Sequence, residues 1–201
     1  MTSKRPAPRT YHHGDLRRAL LDAATELLRE GGPENVSLRE CARRIGVSHA
    51  APYRHFPTKE SLLDALAADG FRGLREAGIR GMRGIVDARD RLDAYGVAYV
   101  RFAVKHPDHF RLMFTRKVDG AAAPCGDAED AFLLLRECVQ AVLARDGEVA
   151  PGDLDSAVVA FWTLPHGLAM LILDGRIPSM HVGSAEAVTA LARASFAHFR
   201  T

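Results

Sequence analysis

The stretch Ser37 to Lys59, SLRECARRIGVSHAAPYRHFPTK, leaves this chain fewer folding choices than any other. Ser37 predicts an N-cap, and Glu40 three residues on predicts the second half of a capping box, so a helix starts here. Leu38, Cys41, Ala42 and Ile45 recur at helical spacing and give that helix one apolar face. Gly46 ends it, because glycine enters the left-handed conformation without a steric cost. Ser48 predicts the cap of a second short helix carrying His49, Ala50, Tyr53 and Arg54; Pro57 stops it and Thr58 caps a third. Helix, three-residue turn and helix with a basic and aromatic exposed face is how a helix-turn-helix offers a recognition helix to the DNA major groove. An ordinary helical hairpin fits the same spacing, and spacing alone leaves both open.

Charge is distributed to match. The 201 residues carry a net charge of only +2. Residues 1–60 hold eleven Lys and Arg against seven Asp and Glu, and the remainder holds sixteen against eighteen. A basic first third on a slightly acidic body fits a DNA-reading head joined to something else. A sequence-nonspecific DNA-organising protein would be far more basic. The start, MTSKRPAPRTYHHGD, has no apolar core and does not read as a secretory signal. No uninterrupted run of about eighteen apolar residues occurs, so no membrane span is expected. Cys41, Cys125 and Cys138 lack the spacing of a zinc site or redox pair, and they read as thiols of a reduced, cytoplasmic protein.

At the head the residues resemble a known family. Ala42, Gly46, Val47, Ser48, Tyr53, His55, Phe56, Lys59, Leu62 and Leu63 look like the signature of the tetracycline-repressor (TetR) family, over roughly residues 11–65. That family comprises dimeric, ligand-responsive bacterial transcription regulators. Pro52 departs from the pattern, standing where the family usually has Leu, Ile or Val. A proline in a first helical turn is tolerated, since those N–H groups lack helical partners anyway. The departure therefore bears on where the recognition helix starts. Further on, Trp162, Pro165, His166 and Gly167, with the YHHGDLR start and the HPDHFRLMF segment, resemble a C-terminal TetR subgroup named for its Trp, His and Gly.

The pattern predicts an all-α fold: a flexible basic segment over 1–10, a three-helix head over 11–60, and a helical ligand-binding and dimerisation body over 61–201. The first helix runs from Asp15 to about Arg29 and ends at Gly31, Gly32 and Pro33. Helices follow from Thr58 to near Gly78 or Gly81, Asp87 to Lys105, Pro107 to Phe114, Asp127 to Arg145, Asp153 to Leu173 and from Ser184 onward. Residues 117–127 have loop composition, and a break is expected over 146–152. Gly70, Gly73, Gly78, Gly81 and Gly84 make the third long helix read as a deformable connector or as a fraying end. The helix from Asp153 is apolar nearly all round, so it must be covered on more than one side.

Function follows as expectation. Ser48, His49 and Ala50 are placed to meet base edges, and Arg39 to touch flanking phosphate. Tyr53, His55 and Lys59 correspond to family positions that hold the DNA backbone. Arg43 and Arg44 read as phosphate contacts or a solvated face. In the body Tyr99, Phe102, Phe110, Met113, Phe114, Phe132, Trp162, His166 and Met170 could wall a small-molecule pocket or form plain core. Phe161, Leu164, Leu168, Leu191 and Ala194, on two helices with apolar surplus, are expected at a homodimer interface, which is also the family's dimer mode. A two-fold axis then implies a palindromic double-stranded operator. The resemblance implies a repressor released by a small-molecule effector; an activator, or a regulator without such a ligand, stays open. No cofactor or metal is expected: His12 and His13 are adjacent and lack a third ligand. His106, Asp108 and His109, or Ser156 and Ser195, match no catalytic spacing, so the chain does not read as an enzyme.

Overall fold

Local sequence sets each helix boundary in the computed structural model, which describes residues 13–115, 126–146 and 153–198. Eight α-helices occur among the described residues: α1 (His13–Asn35), α2 (Leu38–Ile45), α3 (Lys59–Gly81), α4 (Ala88–Lys105), α5 (Pro107–Thr115), α6 (Asp127–Asp146), α7 (Asp153–Leu173) and α8 (Ala185–Ala197). Short 3-10 helices span Pro52–Arg54 and Ser179–His181. The expected all-α class is what the chain adopts. Segment 1–10, Tyr11, His12, Cys125, most of the 117–127 loop and the break before Asp153 lie outside the described residues.

Ser184 caps the last helix as expected, and Asp87, where the sequence starts a helix, proves to be that helix's cap. Asp87 accepts from the Asp90 N–H at 3.0 Å, and Ser184 from the Ala187 N–H at 3.1 Å. α1 runs on to Asn35, but Gly32 at φ 71° breaks it internally, where glycine alone is unstrained.

The described residues form two compact units that divide between Leu66 and Ala67. In the first, Leu20, Ala24, Leu27 and Leu28 of α1 are buried with Leu38, Cys41 and Ala42 of α2, and with Phe56, Leu62 and Leu66. In the second, one core holds Leu74, Tyr95, Tyr99, Phe102, Phe110, Met113, Leu135, Val139 and Val158. A smaller core joins Val97, Val100, Leu168, Val188, Ala192 and Phe196 of α4, α7 and α8.

The α3 glycines have a definite use in the second unit. A Cβ on Gly78 would lie 2.7 Å from a ring carbon of Tyr95, and one on Gly70 2.7 Å from the Met113 sulfur. At Gly73 it would sit 3.1 Å from Phe102, and at Gly81 3.1 Å from Ala98. These four positions let α3 lie close against α4 and α5. They are packing surface, and the helix runs through them to Gly81 without fraying.

α7 corrects the expectation that no segment has the makings of a membrane span. Leu154–Leu173 is long and apolar enough by length and composition, with a mean hydropathy of 1.7. Here it packs on α4, α6 and α8. Its uncovered side still shows Val159, Ala160, Thr163 and Leu171.

Gly78→Ala tests the close approach. Alanine brings about 1 kcal/mol of helix propensity. Overpacking against Tyr95, only 3% exposed, costs about 1–3 kcal/mol. The expected outcome in urea denaturation is a net loss of stability, larger than for Gly73→Ala.

Candidate functional site

In the head, Ser37 accepts the Glu40 N–H at 3.2 Å. The return half of the capping box is not made. The Glu40 carboxylate instead accepts from Arg43 Nε at 2.8 Å and Nη2 at 2.6 Å, and from Arg44 Nε at 3.3 Å. The Arg43 guanidinium, with Arg44, holds the Glu40 carboxyl down at about 2. Arg44 also donates to both carboxylate oxygens of Glu30, one bond at 2.8 Å, and so ties α2 to α1. Arg43 and Arg44 thus serve the head's own ion-pair network, Arg43 from the solvated face the sequence reading favoured and Arg44 from a half-buried position. Gly46, at φ 74°, donates to the Arg43 carbonyl at 3.3 Å and Val47 to that of Ala42 at 3.0 Å. This pair of bonds closes α2.

The element after Gly46 is not the regular helix expected from Ser48. Ser48 and Ala51 close a turn, Ala51 N–H donating to the Ser48 carbonyl at 3.0 Å, and only Pro52–Arg54 then coil, as a 3-10 helix. Pro52 explains this, since it has no N–H to donate back to Ser48. Its ring is buried, filling core where the resemblance expects an aliphatic side chain. Phe56, 2% exposed, packs beneath the Arg17 guanidinium at 5.3 Å. Thr58 and Ser61 then cap α3 reciprocally, each side-chain oxygen accepting the other's N–H at 3.1 Å.

Arg39, Ser48, His49, Ala50 and Tyr53 are exposed, and His55 and Lys59 half-buried. Lys59 Nζ donates to the Glu34 carbonyl at 3.2 Å, so its ammonium is held where α3 begins.

In the body, Trp162 Nε1–H donates to the Tyr99 oxygen at 3.1 Å, and that oxygen lies 2.8 Å from His166 Nδ1. An indole nitrogen only donates. The simplest direction runs from Trp162 to Tyr99 to His166, leaving the imidazole proton on Nε2. Burial pushes His166 below its ordinary pKa and Tyr99 above its own, so both are neutral near pH 7. Around this joint Phe114 and His166 stand 4.7 Å apart by ring centroids, Phe110 and Phe114 5.0 Å, and Phe114 and Trp162 6.0 Å. Met113 and Phe102 lie against the α3 glycines. Met170 borders the same core, whereas Phe132 is 42% exposed on α6.

An apolar cavity of about 490 Å³ has Leu92, Tyr95, Leu135, Phe161, Leu164 and Phe196 in its walls, and none of the nine residues expected to wall a pocket lines it. Its polar end is Arg89, whose Nε lies 3.7 Å from Asp93 and whose guanidinium sits 5.3 Å over the Phe161 ring. Pro165 also lines it; having no N–H, it leaves the Phe161 carbonyl without a helical donor. Sequence reasoning missed Arg89 and Asp93, because an i,i+4 charge pair on an amphipathic helix reads as surface. Of the five residues expected at a dimer interface, Phe161 and Leu164 line this cavity. Leu168 is buried in the smaller core, Leu191 packs against it, and Ala194 is exposed.

Comparison with known proteins agrees with this division. Residues 20–66 match the model for bacterial regulatory proteins of the tetR family. Residues 92–195 match that for a tetracyclin repressor-like C-terminal domain. The chain is 46% identical over 48 residues to the transcriptional repressor Rv3405c of Mycobacterium tuberculosis, covering 24% of this chain and 26% of that one. It thus spans about a quarter of the length of the first curated relatives it matches. To the class D tetracycline repressor protein of Escherichia coli it is 30% identical over 117 residues, covering 57% of this chain and 46% of the repressor. A solved protein of unknown function from Rhodococcus sp. RHA1 superposes with a TM-score of 0.75 at 34% identity, covering 95% of this chain and 98% of that one. FadR of Bacillus subtilis, solved with stearoyl-CoA, shares the fold with a TM-score of 0.65 at 13% identity, covering 89% and 98%.

The depressed His166 gives a pH dependence. As pH falls through about 6.5, the unfolded chain binds a proton at this residue that the folded chain still refuses. Stability contributed by neutral His166 is therefore present above that pH and is lost below it. His166→Gln should flatten stability against pH between about 5 and 7, by less than about 1.4 kcal/mol per pH unit, the ceiling for one proton. Urea midpoints at several pH values check it.

Proposed function

The chain belongs to the TetR family of bacterial regulatory proteins, a family of regulators and not of enzymes, and from that membership we propose a dimeric repressor released from a palindromic operator by a small-molecule effector. The observation that carries the reading is the head. A closed α1–α2 ion-pair network and a buried Pro52–Phe56 support leave Ser48, His49, Ala50 and Tyr53 exposed on a rigid base. In this proposal those residues meet the major groove. Tyr53, His55 and Lys59 grip phosphate, with Arg39 on the flanking backbone. The protein acts in the cytoplasm, where its operator lies.

The effector is assigned to the body. The 490 Å³ cavity has the size and apolar character of a ligand site with a few polar groups. It suits a mostly apolar molecule whose polar end reaches Arg89, Asp93 and the Phe161 carbonyl. Tyr99, Phe110, Phe114, Trp162 and His166 pack on one another as an aromatic cluster outside its walls, and the Trp–His–Gly spelling at 162–167 supports the subgroup suggested by sequence. Tyr95 connects the site to α3, since it is a cavity wall and the ring against Gly78. An effector that displaces Tyr95 shifts α3 and hence the spacing of two heads. Release requires that the effector bind the two spacings unequally, and operator DNA then weakens the effector by the same factor.

The dimer is assigned to α7 and α8. Val159, Ala160, Thr163 and Leu171 on α7, with Ala190 and Ala194 on α8, stay exposed in the single chain. Their small side chains permit close helix approach across a two-fold axis, and Val159 and Leu171 supply apolar area. The half-buried Phe161, Leu164 and Leu191 complete the proposed interface, and Leu168, buried in the smaller core, supports α7 from within.

Lys59→Ala should weaken binding to every DNA sequence and lower the slope of log K against log salt by about 0.9; an unchanged slope in fluorescence anisotropy titrations counts against the phosphate role. Sedimentation equilibrium at micromolar concentration should give a dimer that Leu171→Glu converts to monomer. A wild-type monomer defeats the two-fold reading.

A further inference from the structure

A second hollow of the body, of about 760 Å³, lies where α3, α4 and the start of α8 meet, and it is unlike the effector cavity. Its walls carry Arg80, Arg101 and Lys105, and among the described residues no Asp or Glu lines it. Its apolar part includes Phe102, Val182 and Val188. This concentration of positive charge sits in a body that is slightly acidic overall. Arg101 and Lys105 are four apart on α4, so they share a face and repel each other. Arg80 faces the same space from α3, pairing with Glu76 at 3.3 Å across two largely exposed side chains. Such an exposed pair is weak and readily exchanged. Besides Glu76, the acidic group that feels these cations is Glu186, which meets the field of Arg101 from α8 and lines a neighbouring hollow.

Like charges converging on one concave space, with an apolar floor beneath, leave one kind of guest that satisfies both. We propose that this hollow binds a small amphipathic anion, a phosphate or carboxylate head held by Arg101, Lys105 and Arg80 with its apolar part over Phe102 and Val188. Bound there, it bridges α3 to α4 and α8 and holds α3 in place. The site is separate from the Arg89 cavity and does not depend on what that cavity takes.

Isothermal titration calorimetry on the full chain tests this with three probes: inorganic phosphate, monomeric octyl phosphate, and vesicles of phosphatidylcholine with phosphatidylglycerol. Octyl phosphate should bind at least tenfold more tightly than inorganic phosphate, since the floor adds apolar contact to the charge. Arg101→Ala and Lys105→Ala should each weaken octyl phosphate at least fivefold, while Arg83→Ala, an exposed cation outside the hollow, leaves it unchanged. Thermal melts without ligand confirm that the variants fold, and Arg101→Lys should recover most of the binding. Equal loss in all three alanine variants would mean a net-charge effect and overturn the proposal. So would binding to vesicles with none to monomeric octyl phosphate, or no octyl phosphate binding by wild-type protein. A vacant or blocked Arg89 cavity changes none of these outcomes.

Discussion

Missing β-carbons on α3 set the geometry of the whole body. Gly70 and Gly78 let that helix press against Met113 and Tyr95 at distances a Cβ would violate, and Gly73 and Gly81 let it approach Phe102 and Ala98 more tightly than most side chains do. Each glycine costs the isolated helix about 1 kcal/mol relative to alanine. The cost is offset by burying large rings of α4 on a flat helical surface. Because those rings also border the cavities, α3 and the ligand-accessible spaces share walls.

Three polar side chains inside this packing satisfy one another. The Tyr99 hydroxyl takes the Trp162 proton and meets His166, so three side chains that would each be expensive to bury unpaired settle one another. Phe110 and Phe114 pack their rings against this joint. In the head the same logic runs through charge: Arg44 between Glu30 and Glu40 fastens α2 to α1, and Lys59 on the Glu34 carbonyl fastens the start of α3 to the end of α1. The readout turn can therefore remain exposed without depending on its own regularity.

Helix order, caps and most boundaries were legible in the residues, because caps and periodicity are local. Ser37, Gly46, Asp87 and Ser184 do what their chemistry predicts wherever they sit. The extent of the recognition element was harder to read. Pro52 was visible as a departure, but a proline can start a helix or prevent one, and only the bonds available to its neighbours decide. Phe132 illustrates another limit. It lies beside the Ala131, Leu135, Cys138 and Val142 row of α6, one helical step off the buried face, and a broad apolar stripe does not say which edge is covered.

By itself the sequence determined an all-helical chain with a helix-turn-helix head, a longer apolar body and the family to which it belongs, since these rest on motifs and spacing within a few turns of chain. Tertiary structure decided what distant residues do together. It put Arg89 at the mouth of one cavity and Arg80, Arg101 and Lys105 around another, made packing surface of the α3 glycines, and turned Arg44 inward to Glu30. Residues far apart in sequence meet only after helices choose their neighbours, and that choice depends on side-chain volume and charge across contacts that no local pattern records.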